Sequence, residues 1–351
     1  MKAYYAGKAI MTKSRARSSH LLTQSQYREI MNLTTMTDVA AWLRGTHYAS
    51  CMTGMPERGF SRAELQSRLR NDIYSHFLKV IRFDRSEHSF YRYLLLELEV
   101  SSLIHAIQML RLGTMADFSS EVPEMLIPFF SFDIPKLSEI RSFSDLVAML
   151  IRTPWYTLLR SYITGNDRDL DHLGIEAVLR KYQTEHILNL IQALPSKSDR
   201  VNLRSFYSRF LELENLRALY RLKGLETSTK DRATELFTYL PFGQLHAGEW
   251  RAVANATSQN HFLDLLQKTS LGRDLGDLKA PSLLGSSYFG LLTQHLHFRN
   301  CKKLLRFANE GPSAFMALHM LHNIEISNLT ALTEGTHYRL DLNQIRVLLV
   351  F

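Results

Sequence analysis

The chain has 351 residues, of which 45% are hydrophobic and 22% charged, with 9 prolines and 16 glycines. It is too apolar for disorder and too poor in turn formers for a turn-rich β-sandwich, so the composition predicts a folded helical protein long enough for two or three domains. A net charge of +8 suits an anionic partner (nucleic acid, an anionic membrane surface or an acidic protein) or simply keeps the protein soluble.

Residues 1–20 carry Lys2, Lys8, Lys13, Arg15 and Arg17 and no acid. They read as a basic amphipathic arm that meets a membrane or partner, or as a first helix whose Tyr4, Tyr5, Ile10 and Met11 pack on the body. Two short helices follow over residues 21–33 and 38–43, the second capped near Thr37 or Asp38. Residues 48–60 form a loop with Gly54, Pro56 and Gly59. Ser61 and Glu64 then fit a capping box, and Leu65, Leu69, Ile73, Phe77 and Val80 continue at helical spacing. After a polar break at 84–86, a long helix bearing Glu99 runs toward Gly113.

Pro123, Pro128 and Pro135 punctuate the next stretch, since proline removes a backbone donor and ends helices. Helices are predicted over 145–151 and 173–194, then a break at 195–199, then a helix bearing Glu212 that ends at Gly224. The last third opens at Pro241-Phe242-Gly243 and has a long helix over 288–308. Gly311-Pro312 breaks the pattern, a helix bearing Glu325 ends near Gly335, and an apolar tail covers 345–351. No window reaches the roughly 18 to 20 apolar residues expected of a membrane span. Cys51 and Cys301 form no CxxC, and a reducing cytosol is the default expectation.

The three long helices share more than length. Glu99-Val-Ser-Ser-Leu103, Glu212-Leu-Glu-Asn-Leu216 and Glu325-Ile-Ser-Asn-Leu329 are separated by two equal steps of 113 residues. Asn215 and Asn328 follow their acids by three positions, where the first copy has Ser102. A shorter upstream helix ends in Thr each time, from Asp38 to Thr46, Asp145 to Thr153 and His261 to Thr269, always eight residues on. Pro128 and Pro241, each between apolar residues, are again 113 apart. The pattern predicts a triplication: three helical units over 1–120, 121–236 and 237–351, closed as a pseudo-threefold ring or stacked as a short solenoid.

A glutamate inside an apolar helical stripe costs stability unless it is hydrogen-bonded or paired. Glu99, Glu212 and Glu325, with Asn215 and Asn328, are therefore expected to lock helices within or between units; the other reading is a polar ring lining a central opening. No phosphate-cradling loop, dinucleotide fingerprint, zinc-protease motif or nucleophile elbow is present. His295, His297 and Cys301, or His319 with His322, do not supply enough ligands on one helix face for a metal. The sequence thus predicts a non-enzyme without metal or cofactor.

The opening run Tyr4-Tyr-Ala-Gly-Lys-Ala-Ile-Met-Thr-Lys-Ser-Arg-Ala-Arg17, Leu21-Leu-Thr-Gln-Ser-Gln-Tyr27, the stretch Glu212 to Arg217 and Glu325 to Leu329 resemble the AC39 family of the V-type (A-type) ATPases, which comprises the prokaryotic C-type stalk component and its eukaryotic d-type counterpart. The resemblance spans essentially the whole chain; Ser102 and Thr330 depart from the family's Asn and Arg. It implies an all-α, funnel-shaped, pseudo-threefold protein on the cytoplasmic side of a proteolipid rotor ring. Peripheral to the membrane and binding no nucleotide, such a protein would receive the lower end of the central stalk (subunits D and F) and transmit torque. Stalk contacts would fall on the acid-bearing helices and the basic arm of Lys8, Lys13, Arg15 and Arg17. The alternative is a basic helical scaffold for nucleic acid or another acidic partner.

Overall fold

The computed structural model describes residues 2–84, 89–115, 118, 122–224, 243–279, 287–338 and 340–351. The fold is all-α, with no strand among the described residues. Helices α1 (Lys2–Ser18), α2 (Gln24–Met31), α3 (Met36–Arg44), α4 (Arg62–Ile81) and α5 (Tyr93–Leu112) come first. Next are α6 (Phe143–Met149), α7 (Pro154–Leu159), α8 (His172–Gln192) and α9 (Lys197–Leu222). The chain continues through α10 (Ala247–Ala254), α11 (Gln259–Gln267), α12 (Ser270–Leu275), α13 (Tyr288–Phe307), α14 (Gly311–His337) and α15 (Leu342–Leu348).

Many of these starts share one device. Thr23, Thr35, Ser61, Ser142, Ser196 and Ser258 each accept a hydrogen bond from the backbone N–H three residues on, satisfying an amide that has no partner within its helix. Thr35, Ser142 and Ser258 cap α3, α6 and α11, and the repeated threonines expected to end these helices lie two to four residues past their ends, where Thr46, Thr153 and Thr269 each start the next helical turn. The cap of α3 is therefore Thr35 rather than Thr37 or Asp38, and Asp38 is the residue whose amide is capped. At α4 only half of the predicted box forms: Ser61 accepts the Glu64 amide at 3.0 Å, while the Glu64 carboxylate turns to Arg68 at 3.2 Å.

The chain forms two compact units, Met1–Ser86 with Pro195–Gly224 and Pro241–Phe351, and Glu87–Leu194 with Leu225–Leu240. In the first, α14 is the central element, packed by α1, α13 and α4 and by the shorter α2, α3 and α15. Its first turns, Ala314 to Leu318, are buried on every side, as befits a helix apolar all round. Val39, Leu43, Leu65 and Leu69 share a core with Leu329 and Leu332, all at most 1% exposed, and each such side chain contributes about 1.5–3 kcal/mol. Gly335 stands in the last turn of α14, which ends at His337, and α15 passes so close there that a Cβ would sit 2.6 Å from the Ile345 side chain.

In the second unit α5 packs on α8. Phe90–Leu112 is long and apolar enough to cross a membrane, at a mean hydropathy of 1.3, which corrects the expectation that no window qualifies. More than half of that window is buried within the protein, and Leu95, Val100, Leu103, Ile104 and Ile107 lie in its core. Glu97 and Glu99 mask its apolar length in the sequence.

Candidate functional site

Glu99, Glu212 and Glu325 are all buried, at 7%, 1% and 3% exposure. Each carboxylate accepts hydrogen bonds from a segment outside its own helix. Glu99, on α5, accepts the Ser131 backbone N–H at 2.6 Å, the Ser131 hydroxyl at 2.9 Å and the Trp155 indole N–H at 3.0 Å. Burial holds this carboxyl above its ordinary range, and the Ser131 and Trp155 bonds pull the other way.

Glu212, on α9, accepts three consecutive backbone N–H groups: Gly243 at 3.1 Å, Gln244 at 2.7 Å and Leu245 at 2.9 Å. Such a cradle needs the backbone very close, and a Cβ on Gly243 would lie 2.6 Å from the carboxylate. Ser131 follows Glu99 by 32 residues, and Gln244 follows Glu212 by 32.

Glu325, on α14, reaches back to the beginning of the chain. Its oxygens take the Leu22 backbone N–H at 2.5 Å and the Tyr48 hydroxyl at 2.6 Å. The His47 ring lies 3.9 Å away. Burial pushes this carboxyl up to about 7 against the pull of the Tyr48 and Leu22 hydrogen bonds. The same burial pushes His47 down to about 4.

The repeated threonines organise these donors. Thr46, Thr153 and Thr269 each donate a side-chain hydrogen bond to the carbonyl three residues back (Leu43, Leu150, Leu266), at 2.7, 2.8 and 2.7 Å. Two residues after each Thr stands Tyr48, Trp155 or Leu271. Tyr48 and Trp155 supply a side-chain donor to the acid; Leu271 has none to give, and Glu212 takes a third backbone amide instead. The sequence reading missed Tyr48, Trp155 and Ser131. The usable signal was an aromatic with a polar tip at one fixed distance from a repeated Thr.

The two asparagines differ in their surroundings. Asn328 pairs both ways with the tail, donating to the Val350 carbonyl at 2.7 Å and accepting its N–H at 2.9 Å. Asn215 is also buried, and its amide nitrogen has no hydrogen-bond partner among the described residues. The predicted opening residues Pro241 and Phe242 lie outside the described residues.

The four cations of the basic arm lie on α1 and each meets its own chain. Lys8 reaches the Asn309 carbonyl at 2.6 Å and Glu310 at 3.2 Å. Arg15 donates to the Arg306 and Ala308 carbonyls at 3.1 and 2.6 Å, capping the end of α13, where a cation also complements the helix dipole. Arg17 pairs with the buried Asp72, and Lys13 lies over the Phe83 ring at 4.2 Å. The helix packs along α14 with Ile10 buried, while its cations tie it to the end of α13, to the residues just before α14, and to α4 and the residues just after it.

Chemically, these carboxylates place their lone pairs on donors of the chain. Three helices are tied to three other segments of the chain in this way. The family profile described as ATP synthase (C/AC39) subunit matches residues 10–348, and the chain belongs to that family, a component of rotary ATPases. No curated protein matches the chain.

Proposed function

We propose that the chain is the non-catalytic rotor adaptor of a V/A-type ATPase. In this reading it links central-stalk subunits D and F to the membrane proteolipid ring and transmits torque, so that ion transport is coupled to ATP hydrolysis or synthesis. It sits peripherally on the cytoplasmic face and meets the membrane only through the ring. The observation that carries the reading is family membership across residues 10–348.

Three features of the chain support it. The acid stations at Glu99, Glu212 and Glu325 recur at one spacing, as expected of three like units in a pseudo-threefold funnel. Each station joins a helix to a distant loop by charge-assisted hydrogen bonds, which stiffens a body that must carry load. The carboxylates are held by donors of the chain, in keeping with a role in transmission rather than catalysis.

An affinity pull-down of the chain from detergent-solubilised native membranes, read by mass spectrometry, tests the proposal. Co-recovery of proteolipid, stalk and catalytic subunits is expected. An intact ATPase purified from those membranes without this chain would overturn it.

A further inference from the structure

One open cleft of about 710 Å³ lies within the first compact unit, between the end of α1, the second half of α13, α14 and the tail. Leu21, Phe298, Leu305, Leu321 and Ile324 supply its apolar lining beside polar groups such as Ser18 and Gln24, and the cations Arg15, Lys302 and Arg306, all exposed, line it too. Neither α1 nor α13 contains a single Asp or Glu. The Lys302 ammonium lies 5.1 Å from the Phe298 ring and the Arg306 guanidinium 5.7 Å from the Phe307 ring. Both side chains lack a carboxylate partner among the described residues, so their charge is uncompensated at a concave apolar surface.

We infer that this cleft binds an acidic amphipathic helix of a partner protein, with its apolar ridge on the floor and its carboxylates on Lys302 and Arg306. Charge complementarity selects the sign of the partner. The concave, side-chain-lined floor selects a helix over a bilayer or a nucleic-acid duplex, whose broad surfaces cannot enter it. Glu325 lies at the inner end, 3% exposed, with its oxygens taken by the Leu22 N–H and the Tyr48 hydroxyl. The occupant's acids therefore belong at the rim and its apolar residues below. The inference rests on the adaptor reading only in taking the partner to be a protein.

The test uses the full chain and a fluorescent synthetic helix of about 18 residues, with leucines along one stripe and glutamates flanking it. Anisotropy is expected to show binding that weakens about tenfold or more when the flanking glutamates become glutamines. The double variant Lys302→Glu/Arg306→Glu should lose the glutamate peptide and gain its lysine-flanked counterpart. Lys303→Glu, a single charge reversal outside the cleft lining, should stay within about twofold of wild type. Circular dichroism verifies that each variant folds. Equal binding of the glutamine peptide, or indifference to the double variant, would overturn the inference. So would competition by phosphatidylglycerol vesicles or duplex DNA as effective as that by the peptide. Wild-type chain that enters the ATPase yet fails with the peptide removes the cleft proposal and leaves the adaptor reading standing; the reverse pattern separates them the other way.

Discussion

The Tyr48 hydroxyl donates to the Glu325 carboxylate at 2.6 Å, across 277 residues of sequence. Both groups are buried, so neither has water to fall back on, and the bond is charge-assisted whenever the acid is ionised. Its removal by Tyr48→Phe keeps the ring and its packing and deletes only the donor. The variant is expected to lose about 1.5–3 kcal/mol of stability in urea unfolding, with the Glu325 carboxyl rising further. An unchanged midpoint would show that water or another donor replaces the hydroxyl.

Glu212 should be the least replaceable of the three acids. Glu212→Ala strands three amides that the fold has turned toward one point, at a cost of roughly 3 kcal/mol or more. Gly243→Ala attacks the same cradle from the other side, because the added methyl would meet the carboxylate at 2.6 Å. Both variants should unfold at lower temperature in calorimetry, and their double variant should cost less than the two together. Simple additivity would mean that they do not share one site.

Protonation opposes itself in the first unit. The Glu325 carboxyl moves from 4.5 to about 7, so the folded protein binds the extra proton between those values. Its contribution falls as pH rises through that window, and above pH 7 the ionised acid costs roughly 3 kcal/mol relative to pH below 4.5. His47, His76 and His322 move from 6.5 to about 4, so their contribution is full above 6.5 and is lost as pH falls toward 4. Glu325→Gln removes this one falling contribution and leaves those of the other buried acids, Glu97, Glu99 and Asp199, and of the histidines in place. Its stability should therefore climb more steeply than wild type between pH 4.5 and 7 in urea titrations at each pH; parallel profiles would refute the assignment.

Asn328 clamps the tail backbone at Val350 from both sides. Asn328→Ala should release it, and hydrogen exchange at the Val350 amide should quicken by at least about tenfold while the buried turns of α14 stay protected. Equal slowing factors before and after substitution would assign the tail's order to Leu349 and Phe351 packing alone.

Helices, their order and the repeated acids were legible in the sequence because apolar periodicity and a fixed 113-residue spacing are local or self-comparing signals. That the acids would be satisfied followed from desolvation. Their partners did not, since Ser131, Gln244 and Leu22 contribute backbone amides, which every residue type but proline carries. The helix does end near Gly335, at His337, but the second reason for glycine there, the close approach of Ile345, was not legible because it belongs to another helix. The cations of α1 were visible, but the acceptors of Arg15, the carbonyls ending α13, lie almost 300 residues away and leave no side-chain signature.

The direction of the acid contacts bears on what a fragment of this chain would do. Each acid serves a loop in the predicted unit after its own, and the last serves the first. Residues 1–120 taken alone would hold Glu99 without Ser131 and Trp155, and Leu22 and Tyr48 without Glu325. Such a piece would divide its stranded groups between the two compact units, Glu99 in one and Leu22 and Tyr48 in the other, each a buried polar group cut off from its partner, and it is expected to be far less stable than the whole chain.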